Sequence, residues 1–279
     1  MSSEQRGHTM TQGGQTMLIA QISDLHIQSE GKNKDLIKPD RHLAQCVAAL
    51  NALNPRPDLV VVTGDLAERG TKQEYLILKP LLDALHIPYL VIPGNHDSVE
   101  NLRAVFDDHS YLDTGTPFIQ YTAESWPLRI VALDTTVPMH GHGELCADRL
   151  KWLADTLAQQ TDRPTLILMH HPPFETGIKL MDELGLLKGR EAFVDIIAPY
   201  RNIERVLCGH LHRTIVCRVG NTIASTCPGT AHQIVLDLAD PAELHFNFEP
   251  PGYHLHHYGA SGLVTHHAVI GDFPGPYPF

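Results

Sequence analysis

The chain has 279 residues, 43% of them hydrophobic, and carries 21 basic against 32 acidic side chains for a net charge of −11. That is enough apolar material for one large domain, or one domain with a small appendage. Long nucleic acids are poor partners for an acidic surface, because their affinity rests on phosphate neutralisation, and no apolar run approaches the roughly 20 residues that span a bilayer. Residues 1–16 are polar and lack the apolar middle of a signal peptide, so they read as a disordered tail, with Met17 a possible internal start. The cysteines are Cys46, Cys146, Cys208, Cys217 and Cys227. Their number is odd and none forms a C-x-x-C, which predicts reduced thiols and a cytoplasmic protein.

In chain order, the first strand pattern is residues 18–22, followed by Asp24-Leu25-His26. Leu43, Val47, Leu50 and Leu53 then share a helical face, with Asp40 placed to cap it. The apolar run 59–62 leads into Gly64-Asp65. Thr71 and Glu74 form a capping box, opening a helix that Pro80 is expected to kink or divide. Residues 89–92 lead through Pro93 into Gly94-Asn95-His96-Asp97. A strand at 130–133 ends on Asp134, read as structural support, and Leu150, Trp152, Leu153 and Leu157 mark a helix. Residues 166–169 precede His170-His171, with His171 either behind the site or simply packed beside His170. Phe193, Ile196, Ile197 and Tyr200 have helical spacing, and residues 206–208 precede Gly209-His210-Leu211-His212.

Beyond His212 the pattern turns to strands. Residues 215–219 and 222–225 flank a Gly220-Asn221 turn, and 233–238 reads as another strand. Residues 254–258 and 264–270 can pair around Gly259 to Gly262. The alternating His254, His256, His257, His266 and His267 are expected on a surface or interface rather than around a third metal. Alternating strands and helices with a strand-rich end predict an α/β sandwich with a small C-terminal β extension.

Five of the apolar runs end in metal-binding side chains. Short β-branched runs suit strands buried on both faces, whose C-terminal ends share one edge, where ligands bind in open α/β sheets. Asp24, His26, Asp65, Asn95, His170, His210 and His212 can therefore converge. Oxygen and nitrogen donors without thiolate suit Zn, Mn, Fe or Co without choosing among them. Asp65 is the natural bridging carboxylate, and two ions about 3.5–4 Å apart can hold a phosphate and activate water as the attacking hydroxide.

The set D-x-H, G-D, G-N-H-D, H-H-P-P and G-H-L-H resembles that of the calcineurin-like binuclear metallophosphoesterases, over about residues 18–240. The resemblance implies a four-layer α-β-β-α sandwich, with a catalytic domain over 17–240 and a C-terminal cap or oligomerisation extension over 241–279. It implies that Asp24, His26, Asp65 and His212 hold one divalent ion, and that Asp65 bridges to a second completed by Asn95, His170 and His210. Iron, manganese or zinc would serve. His96 would contact the phosphate or leaving-group oxygen, oriented by Asp97. Within the family the chain is similar to class III cyclic-nucleotide phosphodiesterases, and most similar to the bacterial glycerophosphodiesterase branch. Met181-Asp182, residues 225–233 and Gly275-Pro276-Tyr277 carry that likeness, which also places His232 near the substrate.

The function implied is hydrolysis of small phosphodiesters, either a glycerophosphodiester or a 3',5'-cyclic nucleotide, by a homo-oligomer with no membrane partner. The alternatives are a phosphomonoesterase of the same fold and a non-catalytic scaffold. A scaffold would be expected to lose ligands, whereas all seven and His96 are present.

Overall fold

The computed structural model describes residues 16–239 and 243–278. The tail expected over residues 1–16 lies, Thr16 apart, outside the described residues. In chain order the elements are β1 (Met17–Ile22), α1 (Lys34–Ile37), α2 (Pro39–Ala52), β2 (Leu59–Thr63), α3 (Lys72–Asp83), β3 (Tyr89–Ile92) and α4 (Val99–Val105). A 3-10 turn (Ser110–Leu112) leads to β4 (Tyr121–Ala123), β5 (Arg129–Ala132), β6 (Gly143–Glu144), α5 (Ala147–Ala158), β7 (Thr165–Leu168) and α6 (Lys179–Asp182). Then come β8 (Leu186–Lys188), α7 (Arg190–Ile197), β9 (Ile203–Cys208), β10 (Val216–Val219), β11 (Thr222–Thr226), β12 (Gln233–Ile234), β13 (Phe246–Asn247), β14 (Gly252–Gly259) and β15 (Gly262–Val269).

Two sheets carry the fold, in the orders β15-β14-β1-β2-β3 and β10-β11-β9-β7-β5-β4. Strands β1, β2 and β3 are mutually parallel, as are β5, β7, β9 and β11. The side-chain alternation of a strand sorts the second sheet's residues into two cores. Ile130, Ala132, Leu166, Leu168 and Leu207 pack with the first sheet. Val131, Ile167 and Val206 pack instead with Leu153 and Leu157 of α5 and Phe193 and Ile197 of α7. Helices α2, α3 and α4 add Leu43, Leu50, Tyr75, Leu78 and Leu102 to the first core. The result is four layers, helix on sheet on sheet on helix. No described helix is long and apolar enough to cross a membrane.

Several local expectations are corrected. Helix α2 starts at Pro39, whose fixed φ suits the first helical position, so Asp40 sits in the first turn and does not cap it. The Thr71 capping box is present, but α3 runs on through Pro80 for three more residues. The strand expected over 233–238 shrinks to β12, paired with β13. The C-terminal hairpin forms, and β14 pairs antiparallel with β1, so it extends the first sheet. His254 and His256 therefore point inward and are buried, against the expectation of a surface or interface, whereas His257, His266 and His267 are exposed as expected. All five cysteines are free.

Candidate metal centre

The C-terminal ends of five parallel strands meet at one place. Beyond β1 lie Asp24 and His26, beyond β2 Asp65, beyond β3 Asn95, beyond β7 His170, and beyond β9 His210 and His212. Positive φ is costly for residues with a Cβ and is tolerated mainly where function demands it. Seven non-glycine residues in the described chain adopt it, and five are Asp24, His26, Asp65, His210 and His212. The strain turns each chain sharply at its strand end and aims the side chain inward. Gly94 makes the close approach possible, since a Cβ there would overlap the side chain and backbone of Asp65.

The donor atoms fall into two groups that share Asp65. In the first, His26 Nε2 lies 3.0 Å from His212 Nε2 and 3.5 Å from Asp65 Oδ2, with His212 Nε2 3.6 Å from Asp24 Oδ1. In the second, His170 Nε2 lies 3.4 Å from the same Asp65 Oδ2 and 3.1 Å from Asn95 Oδ1. His210 Nδ1 is 3.0 Å from that Asn95 oxygen. Ligands about 2.0–2.2 Å from one ion stand roughly 2.8–3.1 Å apart at right angles and roughly 3.3–3.6 Å apart at the tetrahedral angle, so both groups have spacings found in a coordination shell.

The ring nitrogens supply an independent test of the fit. His26 Nδ1 is held by Glu68 Oε2 at 2.8 Å, His212 Nδ1 by the His232 carbonyl at 3.0 Å, and His170 Nδ1 by the Thr63 carbonyl at 2.8 Å. Each of these partners is an acceptor, so each Nδ1 carries the proton and each Nε2 of a neutral ring presents a lone pair. The lone pairs of His26 and His212 face each other, and that of His170 faces an amide oxygen. The contact between the His26 and His212 lone pairs requires positive charge between them, a proton or a cation. The site attracts it strongly. Burial pulls the pKa of His26 down, but the Glu68 hydrogen bond and the charges of Asp65, Glu68 and Asp24 reverse this and push it up to about 9. His170 likewise overcomes burial through Asp65 and Asp24 and rises to about 9. The clustered Asp and His side chains thus suit a pair of divalent metal ions.

Around the two groups stand the residues expected to meet substrate. His96 donates its backbone N–H to Asp65 Oδ1 at 3.0 Å and its Nδ1 lies 2.7 Å from the Glu68 carbonyl. Nε2 is left for the cavity that His96 lines. Asp97 does not orient that ring, contrary to expectation. Its carboxylate accepts from the backbone N–H groups of Leu66, Ala67 and Gly94 and from the Tyr75 hydroxyl. It thereby clamps the turn carrying Asp65 to the turn carrying Asn95. The His232 ring lies 4.7 Å from that of His212 and 5.4 Å from that of His26, beside the cavity. His171 is buried with both nitrogens engaged, at Thr135 Oγ1 and the Gly141 carbonyl, so it supports the centre from behind. Asp134 lies outside the site, accepting from Ile119 and Thr136.

Glu68 was missed in the sequence, though its place three residues after Asp65 is a usable signal. It completes a carboxylate–histidine pair of the kind that orients metal-binding imidazoles. Glu68→Ala is expected to weaken Mn²⁺ binding by roughly 10–100-fold while leaving the fold intact. Titration calorimetry showing unchanged affinity would remove Glu68 from that role.

The cavity above the centre measures about 480 Å³. Its lining includes the polar Glu30, Lys32, Asn33 and Arg69 and the apolar Met181, Ile234 and Phe246.

Comparison with known proteins agrees with this geometry. Residues 17–214 match the family model described as calcineurin-like phosphoesterase. The chain is 38% identical over 267 residues to a probable glycerophosphodiester phosphodiesterase GpdQ of Arcobacter nitrofigilis, covering 94% of this chain and 97% of that one. It is 36% identical over 225 residues to a probable cyclic nucleotide phosphodiesterase of a Synechococcus species, covering 78% and 82%. The fold superposes on a dimetal phosphatase from Danio rerio with a TM-score of 0.64 at 14% identity, covering 91% of this chain and 99% of that one. The chain belongs to the calcineurin-like phosphoesterase family.

Proposed function

We propose that the protein hydrolyses small phosphodiesters, a glycerophosphodiester or a 3',5'-cyclic nucleotide, at this centre. The observation that carries the reading is the sharing of Asp65 Oδ2 between two donor groups at the floor of an open cavity that His96 and His232 also line. A pair of divalent ions held there supplies Lewis-acid polarisation of the phosphoryl oxygens and water activation near neutral pH. Asp24, His26, Asp65 and His212 would hold one ion, and Asp65, Asn95, His170 and His210 the other. Glu68, Thr63 and the His232 carbonyl keep the coordinating imidazoles in one tautomer.

The test is a rate panel on Mn²⁺-loaded enzyme with cyclic AMP, glycerophosphodiesters and phosphomonoesters. Diesters are expected to turn over faster than their monoester products. Faster monoester hydrolysis would assign the chain as a monoesterase, and no hydrolysis of either would leave the scaffold reading.

His96 is proposed to assist the leaving group. Its Nδ1 is tied to Glu68, so a protonated ring offers Nε2–H to the departing oxygen without binding a metal. General-acid help is worth roughly 10²–10⁴ in rate. An alkoxide needs it and nitrophenolate, a far weaker base, hardly does. His96→Ala is therefore expected to slow alkyl phosphodiesters much more than bis(4-nitrophenyl) phosphate, with both metals retained. Equal losses on the two substrates would instead place His96 in phosphate binding.

A further inference from the structure

Behind the metal centre, between the two sheets, runs a buried polar chain that starts on the C-terminal hairpin. Its middle is Gln21 of β1, fully buried. The Gln21 amide nitrogen lies 2.9 Å from the Cys208 carbonyl and 3.0 Å from Thr63 Oγ1. A carbonyl oxygen only accepts, so the atom facing Cys208 must be the NH₂ group, and the amide has one permitted orientation. Oε1 then faces His256 Nε2 at 3.1 Å, which must carry the proton. His256 Nδ1 is consequently a bare acceptor, and Thr265 Oγ1 donates to it at 2.8 Å. At the other end, Thr63 Oγ1 donates to Ser23 Oγ at 2.8 Å, and Ser23 donates to the Thr63 carbonyl at 3.3 Å.

This polar chain touches three of the five strands, β1, β2 and β9, just before each delivers a proposed ligand. Ser23 precedes Asp24, Thr63 stands two residues before Asp65, and Cys208 stands two before His210. The Thr63 carbonyl is also the acceptor that holds His170 Nδ1. A single amide thus ties β1, β2 and β9 together across the two sheets, and its oxygen is paired by a donor supplied by β14.

We propose that His256 is a positioning residue for the metal centre. Its Nε2–H pairs the Gln21 oxygen in the one orientation that the Cys208 carbonyl permits, and so holds the amide that locks the ends of β1, β2 and β9. Without that donor, Gln21 Oε1 is buried unpaired, and turning the amide gives no relief because it would set an oxygen against the Cys208 carbonyl, so the amide has to shift and the strand ends it ties loosen. Docking of the C-terminal hairpin and metal affinity are therefore coupled, although the hairpin contributes no ligand.

The experiment measures Mn²⁺ affinity of the full chain by titration calorimetry, beside urea stability, for three variants. His256→Leu removes the donor and is expected to raise the Kd about tenfold, at the low end of what orienting partners contribute. His256→Gln places an amide N–H close to where Nε2–H stood, and is expected to restore most of the affinity. Gln21→Met removes the amide that His256 pairs while keeping the length of the side chain, and is expected to raise the Kd about as much as His256→Leu. Wild-type affinity in His256→Leu, or equal losses in the Leu and Gln variants, would reduce His256 to a packing residue. Should His256→Leu fail to fold, unchanged affinity in Gln21→Met would overturn the proposal by itself. The inference rests on the metal-centre reading, and wild-type protein that binds no divalent ion would overturn both.

Discussion

Asp65→Asn is expected to abolish most turnover and to leave one metal ion per chain instead of two. Asp65 Oδ2 lies between His26 and His170, within 3.5 Å of a donor in each group, and its other oxygen accepts the His96 N–H. Burial alone would raise its pKa, but His170, His96 and His26 hold the carboxyl well below the usual carboxylate range. An amide of the same shape loses the charge and offers one acceptor in place of two. The rate loss should therefore exceed the roughly 10–100-fold typical of a residue that merely orients a ligand. Elemental analysis finding two ions per chain with near-normal hydrolysis of bis(4-nitrophenyl) phosphate would refute the bridging role.

The second large effect is expected on stability. Asp97→Ala strands three backbone N–H groups and the Tyr75 hydroxyl, all of which now donate to one carboxylate. Each buried polar group left unpaired costs about 1–3 kcal/mol. Asp97 is only part-buried, so water recovers some of that, and a loss of about 3 kcal/mol is expected. It should show as a lower urea midpoint with an unchanged slope. The turns carrying Asp65 and Asn95 would also separate, so metal binding should weaken in the same variant. A midpoint shift worth less than about 1 kcal/mol would mean that Asp97 is not the clamp described here.

The sequence by itself determined the parts of this protein that are local. The runs before Asp24, Asp65, Asn95, His170 and His210 identify themselves as buried parallel strands, because β-branched residues without polar alternation have few other stable uses. The donor types after each run carry their own chemistry, so the metal-binding set could be written down without coordinates. The Thr71–Glu74 cap and the Gly220-Asn221 turn were equally legible, since each is satisfied within a few residues.

What only the tertiary structure decided depends on partners distant in the chain. Asp97 adjoins His96, yet its four donors come from β2's turn, from Gly94 and from α3, so adjacency misled. Glu68 became visible only when its side chain reached His26, 42 residues away. His254 and His256 read as a surface ribbon because strand alternation shows that two faces differ without saying which is covered. The pairing of β14 onto β1 settled that, and it carried His256 to Gln21, 235 residues away. A side chain's identity limits the bonds it can make, but which bond it makes is set by what the fold brings within about 3 Å.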